Sequence, residues 1–179
     1  IILALGTAFI ATGIALIIAW IVERTRIFGR GILSFLNTVT FGFPSIALGV
    51  GLVLGYMHPP LALYGTLWLF LIGYVTKQLP FGFIFCKNAL KQVVPELEEA
   101  ARTVGASWFR TMIDITAPLL KNGVIVSLLM IFSVSLRELG MSILLFMPGT
   151  ETLAVTTFLY LYDGHMEQAT TVAVGIVTI

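Results

Sequence analysis

The sequence predicts an all-α, polytopic transmembrane helical bundle of about five spans. Three observations predict it. First, 58% of the 179 residues are hydrophobic and only 11% are charged, whereas soluble domains carry about 25% charged residues. Second, the mean hydropathy is +1.02. Third, the charges are clustered: Ile1–Val22 carries none, and neither does the run of 46 residues from Gly31 to Thr76. A spanning helix takes about 20 mostly apolar residues, so these gaps are span-sized. The composition argues against a soluble enzyme and against disorder. A net charge of +1 leaves no nucleic-acid footprint. One cysteine, Cys86, permits no internal disulfide. The chain starts without Met inside one apolar run and stops at Ile179 inside another, so residues 1–179 read as one transmembrane domain from a longer protein.

Taken in order, the first span is Ile1–Val22, followed by a basic loop, Glu23–Gly31. The second covers Ile32–Met57 but contains Pro44, which removes a helical hydrogen bond and predicts a bend or a separate interfacial turn. Gly51 and Gly55 form a small-xxx-small pair where another helix is expected to approach closely. After the His58-Pro59-Pro60 turn the third span runs from about Leu61 to Phe85. Lys87–Lys121 is the one long polar stretch. The fourth span is Asn122–Met147, and Pro148-Gly149-Thr150 reads as a turn. Leu153–Tyr162 is apolar but too short to span, Gly164 ends it, and a fifth span starts near Met166. Asn37, Ser127, Ser133 and Ser135 are expected to bond between helices, and Cys86 to act as apolar filler.

Lysines and arginines orient such a chain, because they are retained on the cytoplasmic side. Arg24, Arg26 and Arg30 lie in loop 23–31, and Lys87, Lys91, Arg102, Arg110 and Lys121 lie in loop 87–121. The two alternate loops carry none. Loops 23–31 and 87–121 are therefore expected to be cytoplasmic, with Tyr160 and Tyr162 in an outer aromatic belt.

The long loop predicts two short helices. Pro95 suits a first helical position, Glu96, Glu98 and Glu99 suit the positive end of the helix dipole, and Gly105 suits a left-handed C-terminal cap. Leu97, Ala101 and Val104 share one face. Ser107 can cap a second helix over Trp108–Thr116, and Pro118 is expected to break the chain before the fourth span. Two readings stand side by side here. The small-residue surface at Ala100 and Ala101 admits close approach by a partner, or the loop lies on the bilayer surface.

Glu99-Ala100-Ala101, then Gly105, Ile115 and Pro118, match the "EAA" motif of importer-type ABC transporter permeases in spacing, with Ala117 in place of the usual Leu. The chain resembles that family over nearly its whole length. The resemblance implies a transmembrane subunit of an ATP-driven importer in the bacterial plasma membrane. Its loop 94–118 would couple to a separate ATPase, with Glu99, Ala100, Ala101, Gly105 and Pro118 at the contact. It also implies an extracytoplasmic substrate-binding protein and a second permease half, fused or separate. The sequence lacks a G-x-x-x-x-G-K-[ST] phosphate loop. ATP and magnesium are therefore expected on the partner, with no catalytic residue, metal or cofactor in this chain.

Ser135-Leu136-Arg137-Glu138-Leu139-Gly140 and Pro148-Gly149-Thr150 resemble ferric iron permeases, with thiamine, phosphonate and polyamine permeases as alternatives. Arg137 and Glu138 are candidates for an outer gate or substrate path, against the plainer reading of a polar tie between helices. Lys77, counted from Leu61, is expected near the inner face with its amine reaching the cytoplasmic interface. His58 and His165 have no further ligand at metal spacing. A gradient-driven secondary transporter is the competing class. It predicts ionisable groups near mid-membrane and broken helices in paired halves, of which only the Pro44 region gives a hint, and it leaves the long loop unexplained.

Overall fold

A computed structural model describes residues 1–179, the side chain of Pro95 excepted. Its centre is three long helices: α1 (Ile2–Arg24), α4 (Leu67–Gln92) and α7 (Ala117–Leu136), packed on one another. They pack because they are small at the seam. Ala4, Ala8, Ala11, Ala15 and Ala19 form the buried stripe of α1. Gly82 of α4 sits where an added Cβ would lie 2.8 Å from the Ala15 Cβ, and Gly123 of α7 lies against Ala89. Lipid tails are as apolar as leucine, so helices in a bilayer gain from close contact rather than from burying oily surface. One buried hydrogen bond joins this seam, Thr12 to Ser127 at 3.0 Å. Cys86 is fully buried in the same core, as expected of a filler.

Among the described residues, three helices are long and apolar enough to cross a membrane. A bent pair makes a fourth apolar segment, a broken span or a re-entrant loop: α2 (Arg30–Val39) continuing through a 3-10 turn (Thr40–Gly42), then α3 (Ser45–Tyr56), with 107° between the arms. Pro44 stands at the break and extends the chain there. The expected helix approach at Gly51 and Gly55 does not occur; nothing lies within 4 Å of a Cβ at either. Gly49 and Gly73 take that role instead, packed against Met141 beside α8 (Ser142–Leu145). The third span begins at Leu67 rather than Leu61, because residues 57–66 form the turn.

Pro118 does not break the chain. α6 (Trp108–Thr111), a π-helical turn over Met112–Thr116 and α7 run on as one 29-residue helix, Trp108–Leu136. A wide π-helical turn just before the proline loosens the i→i+4 ladder where the ring would otherwise clash. α7 ends at Leu136, so the fourth span starts and ends earlier than predicted, and α8 follows separately. The Pro148-Gly149-Thr150 turn forms as expected, with Gly149 at φ +92° and the Glu151 carboxylate accepting from the Gly149 N–H at 3.0 Å. α9 (Leu153–Tyr162) turns at Gly164 and pairs with α10 (Met166–Thr178), 13 residues long, which begins where the fifth span is predicted.

Candidate coupling site

The polar loop folds as its residues dictate. α5 (Pro95–Thr103) starts with Pro95 in its first turn and Glu96 and Glu98 near its N-terminus, where the helix dipole favours anions. It ends in a Schellman cap: the Ala106 N–H donates to Ala101 O and the Gly105 N–H to Arg102 O, both at 3.0 Å. Gly105 has φ +91°, a conformation that costs a side-chain-bearing residue about 1 kcal/mol or more. A Cβ there would meet nothing within 4 Å. The requirement for glycine is therefore backbone conformation, not crowding within this chain. Ser107 caps the next turn, accepting from the Arg110 N–H at 3.3 Å.

The loop presents its motif outward. Glu99 and Ala100 are exposed and Ala101 is partly buried. Leu97 and Val104 do share a face, but that face is open, with Val104 85% exposed. Trp108 and Phe109 are exposed beside it. Ala117, at the motif's one departure, and Pro118 are also exposed, on the first turn of α7.

The inward side of α5 belongs to Glu98. Its carboxylate lies 3.5 Å from the Arg24 guanidinium and accepts from the Thr116 hydroxyl at 3.2 Å. The same guanidinium nitrogen of Arg24 donates to Val93 O at 2.6 Å and Leu90 O at 3.1 Å. These carbonyls close α4, where a helix end lacks intrahelical donors and carries negative dipole. The pair is 12% and 10% exposed at the side chains. Arg24 thus links the end of α1, the end of α4 and α5, and Glu98 adds the π-helical turn before α7. A second pair, Lys87 to Glu23 at 3.5 Å, runs alongside. Sequence reading uses Arg24 only as an orienting charge and Glu98 only as a first-turn anion. They lie 74 positions apart, and no local pattern joins them.

At the opposite end of the bundle Arg137 is the exposed C-terminal cap of α7. Glu138 is folded into the following turn. Its carboxylate accepts from the Met141 N–H at 3.3 Å, and its carbonyl accepts from the hydroxyls of Ser142 at 2.5 Å and Tyr74 at 3.3 Å. Arg137 and Glu138 do not pair with each other. Of the expected interhelical bonds, Ser127 makes one, while Asn37 and Ser135 are buried without a partner. Lys77 does not reach the interface. Counted from the true start of α4 it lies about 15 Å in, near mid-span, and it donates to Phe43 O at 2.6 Å.

Comparison with known proteins follows the same lines. The chain is 27% identical over 164 residues to a protein of Salmonella typhimurium named as a 2-aminoethylphosphonate transport system permease, covering 89% of this chain and 62% of the relative. It is 28% identical over 144 residues to the ferric transport system permease protein of Actinobacillus pleuropneumoniae, covering 80% of this chain and 21% of the relative. It is 29% identical over 187 residues to the sulfate transport system permease protein of Salmonella typhimurium, covering 96% and 67%. In structure it is similar to an inward-facing methionine ABC transporter, with a TM-score of 0.68 at 18% identity over 98% of this chain and 85% of that one. The chain spans 62% of the length of the phosphonate relatives it matches. Residues 6–179 match the model of binding-protein-dependent transport system inner membrane components, and the chain belongs to that family.

Proposed function

We propose that this chain is the core of the transmembrane subunit of an ATP-driven importer, and that loop 94–118 couples it to a separate ATPase. The observation that supports this most is the form of the loop. An exposed Glu99-Ala100-Ala101 surface, ended by a left-handed Gly105, is backed by a buried ion pair that fastens it to the bundle. Small side chains admit a partner's surface, the free Glu99 carboxylate offers it a charge, and Arg24–Glu98 stops the loop from yielding when pushed. Gly105 and Pro118 hold the two ends of the docking segment in shape.

In this reading ATP and magnesium bind the partner, a binding protein delivers cargo from the opposite side, and a second permease half completes the path. The basic loops 23–31 and 87–121 face the cytoplasm of a bacterial-type cell across the inner membrane. Arg137 stands at the outer end of α7, placed to meet cargo, while Glu138 serves the turn. The relatives are named for ferric iron, 2-aminoethylphosphonate and sulfate, and small charged solutes of this kind are the cargo class.

The test is Gly105→Trp in the reconstituted complex. Backbone strain and bulk at the cap are expected to leave membrane insertion intact while abolishing substrate-stimulated ATP hydrolysis. Normal stimulation would sink the coupling role. A cysteine placed at Ser107 checks the orientation, since labelling by an impermeant reagent from outside intact cells is incompatible with it.

A further inference from the structure

We infer that the broken span around Phe43–Pro44 and the facing turn of α4 line an aqueous path, and that the Lys77 ammonium there favours solutes bearing negative charge. The inference rests on the importer reading, and it adds which face of the bundle is wet and which charge of cargo it admits.

Three features converge at this depth. Between Gly31 and Lys87, Lys77 is the sole charged residue, and it has no carboxylate within ion-pair distance among the described residues. Its one protein partner is a neutral carbonyl, Phe43 O. An ammonium about 15 Å from one end of a 26-residue helix is too deep for its four-carbon stem to reach either interface. Second, the backbone is broken by 107° beside it. Irregular backbone is tolerated at membrane depth only when covered by protein or facing water. Phe41 and Phe43 are exposed, Phe43 at 51%, so this chain does not cover the break. Third, Pro80 has no N–H, so the Thr76 carbonyl one turn back lacks its helical donor.

A surface with an uncompensated ammonium and open backbone cannot face lipid tails at tolerable cost. It faces water. A cation in such a low-dielectric wall raises the local concentration of anions and lowers that of cations. The aromatic side chains of Phe41 and Phe81 pack edge to face at 4.8 Å one turn along α4 from Lys77 and brace the break. If Lys77 did nothing but staple the bend, the site would be dry and indifferent to the sign of a probe.

The experiment uses the full transporter in proteoliposomes, with Phe43→Cys in a Cys86→Ala background. Reaction is followed with anionic sulfonatoethyl and cationic trimethylammonioethyl methanethiosulfonate, with and without ATP. Both reagents are expected to react in at least one of the two conditions. Lys77→Gln is expected to lower the anionic-to-cationic rate ratio about tenfold, the scale of one unit charge at close range in a partly aqueous site. Lys77→Arg is expected to keep it. No reaction with either reagent in both conditions, or a ratio indifferent to Lys77→Gln, overturns the inference. A complex in which the wild-type chain recruits no ATPase overturns the importer reading instead, and leaves the reactivity ratio standing.

Discussion

The seam of α1, α4 and α7 and loop 94–118 hold together by opposite means. The seam has no charge between Ile2 and Val22 and closes through alanine and glycine, with one hydroxyl pair, Thr12 and Ser127. The loop has almost no buried apolar side chain of its own, and closes through Arg24, Glu98, Thr116 and two backbone carbonyls. The difference follows from the two environments. In the seam, close fit is the main driving force available, with a small contribution from the Thr12–Ser127 bond. At the membrane boundary, a few directed, charge-assisted bonds can clamp a short helix that is too small to bury a core. A fitted seam tolerates sliding of whole helices. A charged clamp holds one geometry.

The sharpest way to break the comparison is to overfill the seam. Gly82→Leu drives a side chain into Ala15 and Ile131, whose atoms stand 2.8 and 3.1 Å from the first added carbon. Backbone must move, and a loss of about 3 kcal/mol or more is expected. Thermal unfolding in detergent checks it, and an unchanged midpoint would mean that the seam is loose. Next comes Glu98→Ala. It leaves the buried Arg24 without its counter-charge but with its two carbonyls, so about 2–3 kcal/mol of local stability should go. Protease sensitivity of loop 87–121 is expected to rise while the seam stays folded. If the whole bundle unfolds with it, loop and seam are one cooperative unit.

Smaller still is Thr12→Val. Hydrogen bonds between membrane helices average about 0.6 kcal/mol, so the seam should barely register the loss of the Thr12–Ser127 bond. A drop rivalling that of Glu98→Ala would show that polar ties, not fit, hold the seam. The smallest effect belongs to the 148–151 turn. The Gly149 N–H holds the exposed Glu151 carboxyl below its ordinary value. A lowered folded-state value means the carboxylate helps the turn at pH above the usual glutamate range, and that help is lost as pH falls through the lowered value. Amide exchange at Gly149 should quicken on acidification relative to its intrinsic rate. Glu151→Gln should remove that pH dependence and leave the coupling loop unchanged.

The one-dimensional pattern was enough wherever a short stretch carries its own physics. The span-sized charge gaps, Pro44 as a bend, the cap at Gly105 and the Ser107 N-cap all appear where spacing and residue type place them. It failed where a contact partner matters. The Gly51–Gly55 pair looks like a packing motif, but helix α3 turns its Gly49 to the neighbour instead. Pro118 looks like a break, but a π-helical turn absorbs it. Lys77 lies less deep than counting from Leu61 suggests, because the turn through Gly65 delays the start of α4 to Leu67, six residues later, about 1.7 turns of depth. Among the site residues, Glu99, Ala100 and Ala101 are legible as a motif. Arg24 and Glu98, which hold that motif in place, are not.

Membrane class, the lopsided distribution of basic residues and the coupling motif reside in the sequence, because hydropathy, charge counts and local caps are sums over neighbours along the chain. The pairing of Arg24 with Glu98, the choice of Gly82 and Gly123 as contact points and the meeting of Lys77 with Phe43 reside in the folded bundle. Each depends on the rotation and depth of one helix against another. A shift of one residue turns a side chain by about 100° and moves it about 1.5 Å, and only the packed neighbours select among those settings.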